Sequence, residues 1–107
     1  MVKKSKIDYD EEYDSLLIYG DEKAKDSLEI GNFIVDFNSQ NKIVGVEILD
    51  FSSMIKIPGV KKEQILNASI AINPKKKAVY IYINILMDKQ EKQLILSIPK
   101  TIEMYPT

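Results

Sequence analysis

The sequence predicts an α+β domain, mainly β: an antiparallel sheet of six to eight strands with two short central helices. Three observations lead there. The dominant hydrophobic period is two rather than 3.6, and alternation of that kind belongs to a pleated strand. The apolar runs are rich in Ile, Val, Tyr and Phe, side chains that suit a sheet surface better than a helix. Helical spacing appears only in the middle of the chain, around Pro58-Gly59.

In chain order, strands are expected near 5–9, 15–19, 26–30, 32–37 and 43–49, forming a front meander over 5–49. Asp10 to Asp14 is a polar connection, and Asn38-Ser39-Gln40-Asn41-Lys42 has the composition of a hairpin loop. Asp50 or Ser52 is placed to cap a short helix through Met54 to Ile57, which Pro58-Gly59 stops. Val60 to Asn67, with Glu and Leu at helical spacing, predicts the second helix, so the helical middle spans 50–67. A back meander over 68–98 follows, with strands near 68–73, 78–87 and 93–98 separated by Pro74-Lys75-Lys76-Lys77 and by Asp88 to Lys92.

With 107 residues the chain is expected to be a single domain, 1–107, able to bury about two-thirds of its extended surface. An offset of 63 residues lays Ile70 on Ile7, Asn73 on Asp10, Val79 on Leu16, Ile81 on Ile18 and Tyr82 on Tyr19. A degenerate internal repeat and a coincidence between two β-rich segments both account for this pattern.

Composition removes several chemistries. Without Cys there are no disulfides, zinc thiolates, iron–sulfur clusters or thiol nucleophiles. Without His the commonest general base and transition-metal ligand is missing. All 15 basic residues are lysines, so bidentate guanidinium clamps are missing too. The formal net charge of −1 provides no global field for nucleic acid or a membrane surface. The basic start runs into Ile7-Asp8-Tyr9-Asp10 rather than an apolar core, and the apolar stretch from Ala78 to Met87 is too short to span a bilayer. A cytoplasmic location without membrane attachment is the expectation.

The order Tyr9-Asp10, Asp14, Leu16, Ile18, then Val35-Asp36, a polar turn, and Ile43-Val44-Gly45-Val46-Glu47-Ile48-Leu49-Asp50 resembles the domain-of-unknown-function 2283 family over residues 7 to 55. The resemblance implies a small bacterial or archaeal protein with an antiparallel sheet and a short helix after the last motif. It implies no catalytic residue. Tyr13 and Phe51 stand where small residues are common in the family, Asn41 stands where Gly often closes the turn, and residues 60 to 107 extend beyond the typical short domain.

Three constellations carry candidate chemistry. Asp8 and Asp10 share one side of a strand and are the candidate ligands for a hard cation, although no metal or other cofactor is expected. The competing reading of the acidic run makes Asp10 and Asp14 turn-forming Asx residues and leaves Glu11 and Glu12 solvated. Asp36 and Glu47 lie in otherwise apolar strands and are the candidate catalytic carboxylates; the alternative is the solvent face of a one-sided sheet. Lys75, Lys76 and Lys77 precede Tyr80 and Tyr82, combining phosphate-binding lysines with stacking tyrosines in the manner of single-strand nucleic-acid binders. A solvated turn tip is the competing reading.

The strand from Ala78 to Met87 is apolar on both sides, with Val79, Ile81, Ile83 and Ile85 on one and Tyr80, Tyr82 and Leu86 on the other. Such a strand calls for cover on both faces, by helices and by a second sheet or a second copy. The expected function is therefore a non-enzymatic interaction or accessory module acting as a homodimer, with a further protein partner open. A metal-assisted hydrolase or small-ligand binder and a nucleic-acid-binding module are the alternatives.

Overall fold

The computed structural model describes residues 5–100. Eight strands form two antiparallel sheets in place of a single one. The front sheet contains β1 (Lys6–Asp10), β2 (Ser15–Tyr19), β3 (Asp26–Ile30), β4 (Phe33–Phe37) and β5 (Ile43–Ile48), in the order β1-β2-β5-β4-β3. The back sheet contains β6 (Ile65–Pro74), β7 (Ala78–Met87) and β8 (Glu91–Pro99), in chain order. Among the described residues no helix is long and apolar enough to cross a membrane.

The front sheet is not a simple meander. β5 returns to the middle and pairs with β2, Ile18 opposite Val46 and Leu16 opposite Ile48. The alternation of each strand explains the order. Val46 and Ile48 are wholly buried, as are Leu16 and Ile18, so β2 and β5 belong inside the sheet. β3 carries Asp26, Ser27 and Glu29 exposed, a pattern that only an edge tolerates. Its hairpin with β4 closes over Gly31-Asn32, with Gly31 at φ +57°, the conformation a two-residue turn requires of its first residue. Asn41 adopts φ +61° in the β4–β5 loop, so an asparagine supplies the left-handed turn where glycine often stands.

The two sheets share one core. Tyr9, Leu16, Ile18, Val35, Phe37, Val46 and Ile48 from the front meet Val79, Ile81, Ile83, Ile85, Leu96 and Ile98 from the back. Of the two cover predictions for β7, the second sheet is what closes the isoleucine face.

The helical middle needs correction. One helix, α1 (Phe51–Ile55), is followed by a single 3-10 turn at Lys62–Gln64, and no second α-helix forms. The segment expected to be helical enters β6 at Ile65 instead of 68, pairing Ile65 with Met87 and Ala68 with Ile85 across a bulge. The ten-residue β7 presents ladder groups along its whole length, and satisfying them outweighs a weak helical preference. Alternation resumes accordingly: Ile65 and Ala68 are buried, while Leu66 is exposed. The β6–β7 hairpin pairs Asn73 with Tyr80, whereas transferring the β1–β2 register by 63 residues would pair Asn73 with Ala78.

Neither expected residue caps α1. Asp50 occupies the cap position at φ +50° without a side-chain hydrogen bond, and Ser52 is already inside the helix. Asp14, from the β1–β2 loop, does the capping. Its carboxylate accepts the Ser52 N–H at 3.1 Å and the Ser52 hydroxyl at 3.0 Å, and its backbone carbonyl accepts the Phe51 N–H at 2.9 Å. The Tyr9 hydroxyl donates to the same carboxylate, and its ring lies 5.6 Å from that of the fully buried Phe51. Ser52 Oγ in turn accepts the Val60 N–H at 3.3 Å, and Glu11 accepts the Lys62 N–H at 2.8 Å. The acidic loop thus holds both turns of the connection to the back sheet.

Replacing Asp14 by Ala removes a helix cap, leaves the Tyr9 hydroxyl only the Val60 carbonyl at 3.5 Å and puts a β-carbon without polar compensation at φ +52°. The expected loss is about 2–4 kcal/mol in urea unfolding, with Asp14→Asn, which keeps an acceptor and tolerates the backbone, markedly milder. Burial first, and the Asp14 bond second, push the Tyr9 phenol up to about 12. A tyrosine whose pKa is raised on folding contributes stability that is complete below its unfolded value of about 10 and disappears as pH climbs through the folded one. Unfolding monitored from pH 9 to 12 is expected to show stability falling across pH 10–12, with a smaller fall in Tyr9→Phe.

Candidate functional site

Alternation sorts the candidate residues onto two outward faces. On the front sheet the outward positions are Asp8 and Asp10 on β1, Leu17 and Tyr19 on β2, Gly45 and Glu47 on β5, Ile34 and Asp36 on β4, and Glu29 on β3. One row across the sheet reads Asp8, Leu17, Glu47, Ile34, Glu29; the next reads Lys6, Tyr19, Gly45, Asp36, Ser27. The face is acidic with a half-buried apolar floor. Its lysine, Lys6, is bonded to Asp21 at 2.8 Å.

Asp36 and Glu47 come together as diagonal neighbours on adjacent strands rather than as a directly opposed pair, since Asp36 faces Gly45 and Glu47 faces Ile34. Asp36 leans over the glycine: a β-carbon at Gly45 would lie 3.3 Å from Asp36 Oδ2 and 3.2 Å from the Ile18 carbonyl oxygen. The Asp36 carboxyl sits above its ordinary pKa, first because it is partly buried and then because Glu47 is negative. The direction of this shift, toward the protonated carboxyl, is the one a general acid requires.

Asp8 does not join them. Leu17 stands between Asp8 and Glu47, which places the two acids two strand spacings apart, about 9–10 Å. Asp10 is taken up locally, accepting the Glu12 N–H at 3.0 Å and the Tyr13 N–H at 3.2 Å in an Asx turn. Among the described residues no group of three or more Asp or Glu is arranged to hold a metal ion.

The back sheet presents a different surface. Tyr80, Tyr82, Asn84 and Leu86 point outward from β7, flanked by Asn73, Ala71, Ser69 and Asn67 on β6 and by Ser97, Ile95, Gln93 and Glu91 on β8. Glu91 is the one charged residue among these positions. Ile95 and Leu86 are 56% and 41% exposed, while Tyr80 and Tyr82 are half-buried. Lys75, Lys76 and Lys77 are exposed in the β6–β7 turn, at the end of the sheet nearest Tyr80.

The constellation missed by sequence reasoning is Tyr9, Asp14 and Ser52. Tyr9 and Ser52 lie 43 positions apart, and only the folding of α1 against the β1–β2 loop makes them partners. The detectable signal was that Tyr9 and Asp14 both stand in the motif. Its hydroxyls and carboxylate are spent on one another and on α1, which makes it a structural joint.

The front sheet coincides with the stretch that matches a known family model. Residues 6–52 match the family model described as "Protein of unknown function (DUF2283)". The DUF2283 match begins at β1, includes all five front strands and ends on Ser52, the residue that Asp14 holds. An uncharacterized protein of Methanocaldococcus jannaschii is 44% identical over 46 residues, which cover 42% of this chain and 40% of that relative. No solved structure matches the chain. The back sheet lies outside the DUF2283 match.

The Asp36 geometry has a measurable consequence. An acid whose folded pKa is raised contributes stability that is present below its unfolded pKa, near 3.9, and lost as pH rises through the folded value. Asp36→Asn is therefore expected to raise the melting temperature at pH 7 and to lose that advantage as pH approaches 3. A gain that is independent of pH would mean that its ionisation is not the cause.

Proposed function

We propose that this chain is a non-enzymatic interaction or accessory module that acts as a homodimer through its back sheet. The supporting observation is the outward face of that sheet, where the half-buried Tyr80 and Tyr82 lie beside the exposed Leu86 and Ile95 among neutral polar residues. The isoleucine face of β7 is closed by the front sheet, whereas nothing described in one copy closes the tyrosine face.

Charge favours a second copy as the partner of this sheet. A two-fold contact brings a surface together with its own copy, so like charges on it repel. The front outward face, with Asp8, Glu29, Asp36 and Glu47, would oppose acids to acids. The back face has one charge, Glu91, at its margin. An aromatic and amide-rich surface of this kind suits association without a charged partner.

Light scattering coupled to gel filtration tests the reading. At tens of micromolar the expected mass is twice the 12.3 kDa of one chain. A mass of one chain throughout that concentration range would reject it.

A further inference from the structure

The four sheet edges differ in how they are protected. β1 and β3, the front edges, are five residues long. β6 is interrupted by a bulge between Ile65 and Asn67, and it lies against β1 and β2. Short length, bulges and covering elements are the usual means of preventing edge pairing. β8 has nine residues in unbroken register with β7, and no described strand pairs with its outer edge.

The register shows which β8 groups face outward from that edge. Met87 N–H bonds to the Gln90 carbonyl at 2.8 Å, and Lys100 N–H bonds to the Lys77 carbonyl at 3.0 Å. Bonded and non-bonded pairs alternate along an antiparallel ladder, so the residues opposite Asn84, Tyr82 and Tyr80 belong to non-bonded pairs. Gln93, Ile95 and Ser97 therefore direct their N–H and C=O groups away from β7. Pro99 falls in the same series, where its missing N–H costs the β7 ladder nothing.

We propose that β8 pairs antiparallel with β8 of a second copy about a two-fold axis in the middle of the strand, at Leu94 or Ile95, joining the two back sheets into one of six strands. This rests on the homodimer reading above and places the contact at the edge of the back sheet, beside the tyrosine face rather than on it. A two-fold axis through any residue of β8 sets odd-numbered residues opposite odd-numbered ones, so the outward groups of one copy always meet those of the other. Axes at Leu94 and at Ile95 both pair Gln93, Ile95 and Ser97 within residues 91–99 without setting any of them against Pro99, and in neither do like charges meet. Either axis keeps both tyrosine faces on one side, doubling the neutral surface into a continuous platform.

Two substitutions and one measurement on the unaltered protein test this. Ser97→Pro removes an outward N–H while sparing the β7 ladder, and Ile95→Lys sets two ammonium groups at or beside the axis. Both are expected to convert the dimer to a folded monomer, read by light scattering and circular dichroism. In the unaltered dimer, amide exchange at Gln93, Ile95 and Ser97 is expected to be protected and to speed up on dilution, whereas Leu94 and Leu96 stay protected. If both variants remain dimeric, or if the Gln93, Ile95 and Ser97 amides exchange freely in a dimer, edge pairing is overturned while the homodimer stands. A monomeric unaltered protein overturns both. If Ser97→Pro fails to fold, the exchange pattern decides.

Discussion

The Asp14 carboxylate is the joint on which the two halves of the molecule depend. It accepts from the Tyr9 hydroxyl, the Ser52 hydroxyl and the Ser52 N–H, linking an edge hairpin of the front sheet to the helix that leads into the back sheet. α1 has only five residues, too few to persist alone in water. Its N–H groups need an acceptor from elsewhere, and its buried Phe51 and Ile55 need the core. Asp14 supplies the first and thereby positions the second. That the DUF2283 match starts at β1 and ends at Ser52 fits this physical unit, because the hairpin and the first turn of the helix form one hydrogen-bonded structure.

The pairing of β2 with β5 imposes a second constraint. It brings Gly45 beside Tyr19 and opposite Asp36, where the absence of a side chain gives the carboxylate room to lie across the sheet. The same pairing spreads Asp8, Glu47 and Glu29 along one row with Leu17 and Ile34 between them. Acids from three separate stretches of the sequence thus share one row of the sheet without standing directly opposite one another. The two outward faces acquire opposite characters: the front is acidic, and the back is aromatic and nearly free of charge. A protein of this size has few other surfaces by which to recognise anything, and the neutral one is also the one adjoining the longest unprotected edge.

Much of this was legible in the chain. Strand after strand lies where period-two alternation placed it, and the residues assigned to the inner face of β7 are those the core contains. Asp10 forms the Asx turn that its position in a polar connection suggested. The failures have physical causes. Asp50 and Ser52 were local candidates for a cap that came from 38 residues away, since a carboxylate on a rigid loop can reach helix N–H groups as well as a neighbour in sequence can. Val60 to Asn67 has helical spacing, but the ladder groups of β7 claimed its second half. β5 was read as the last strand of a meander, and its place between β2 and β4, with Val46 and Ile48 wholly buried, is visible only in the fold.

By itself the sequence determined the local objects: which stretches are strands, which side of each is apolar, where the turns fall, and which chemistries are impossible without Cys, His or Arg. Those follow from backbone stereochemistry and side-chain type within a few residues. Only the tertiary structure decided that eight strands divide into five and three, that β5 sits beside β2, and that Asp14 serves a helix made by residues 51–55. These outcomes depend on the competition among distant partners for the same hydrogen bonds and the same buried surface, and that competition is settled only when the whole chain is assembled.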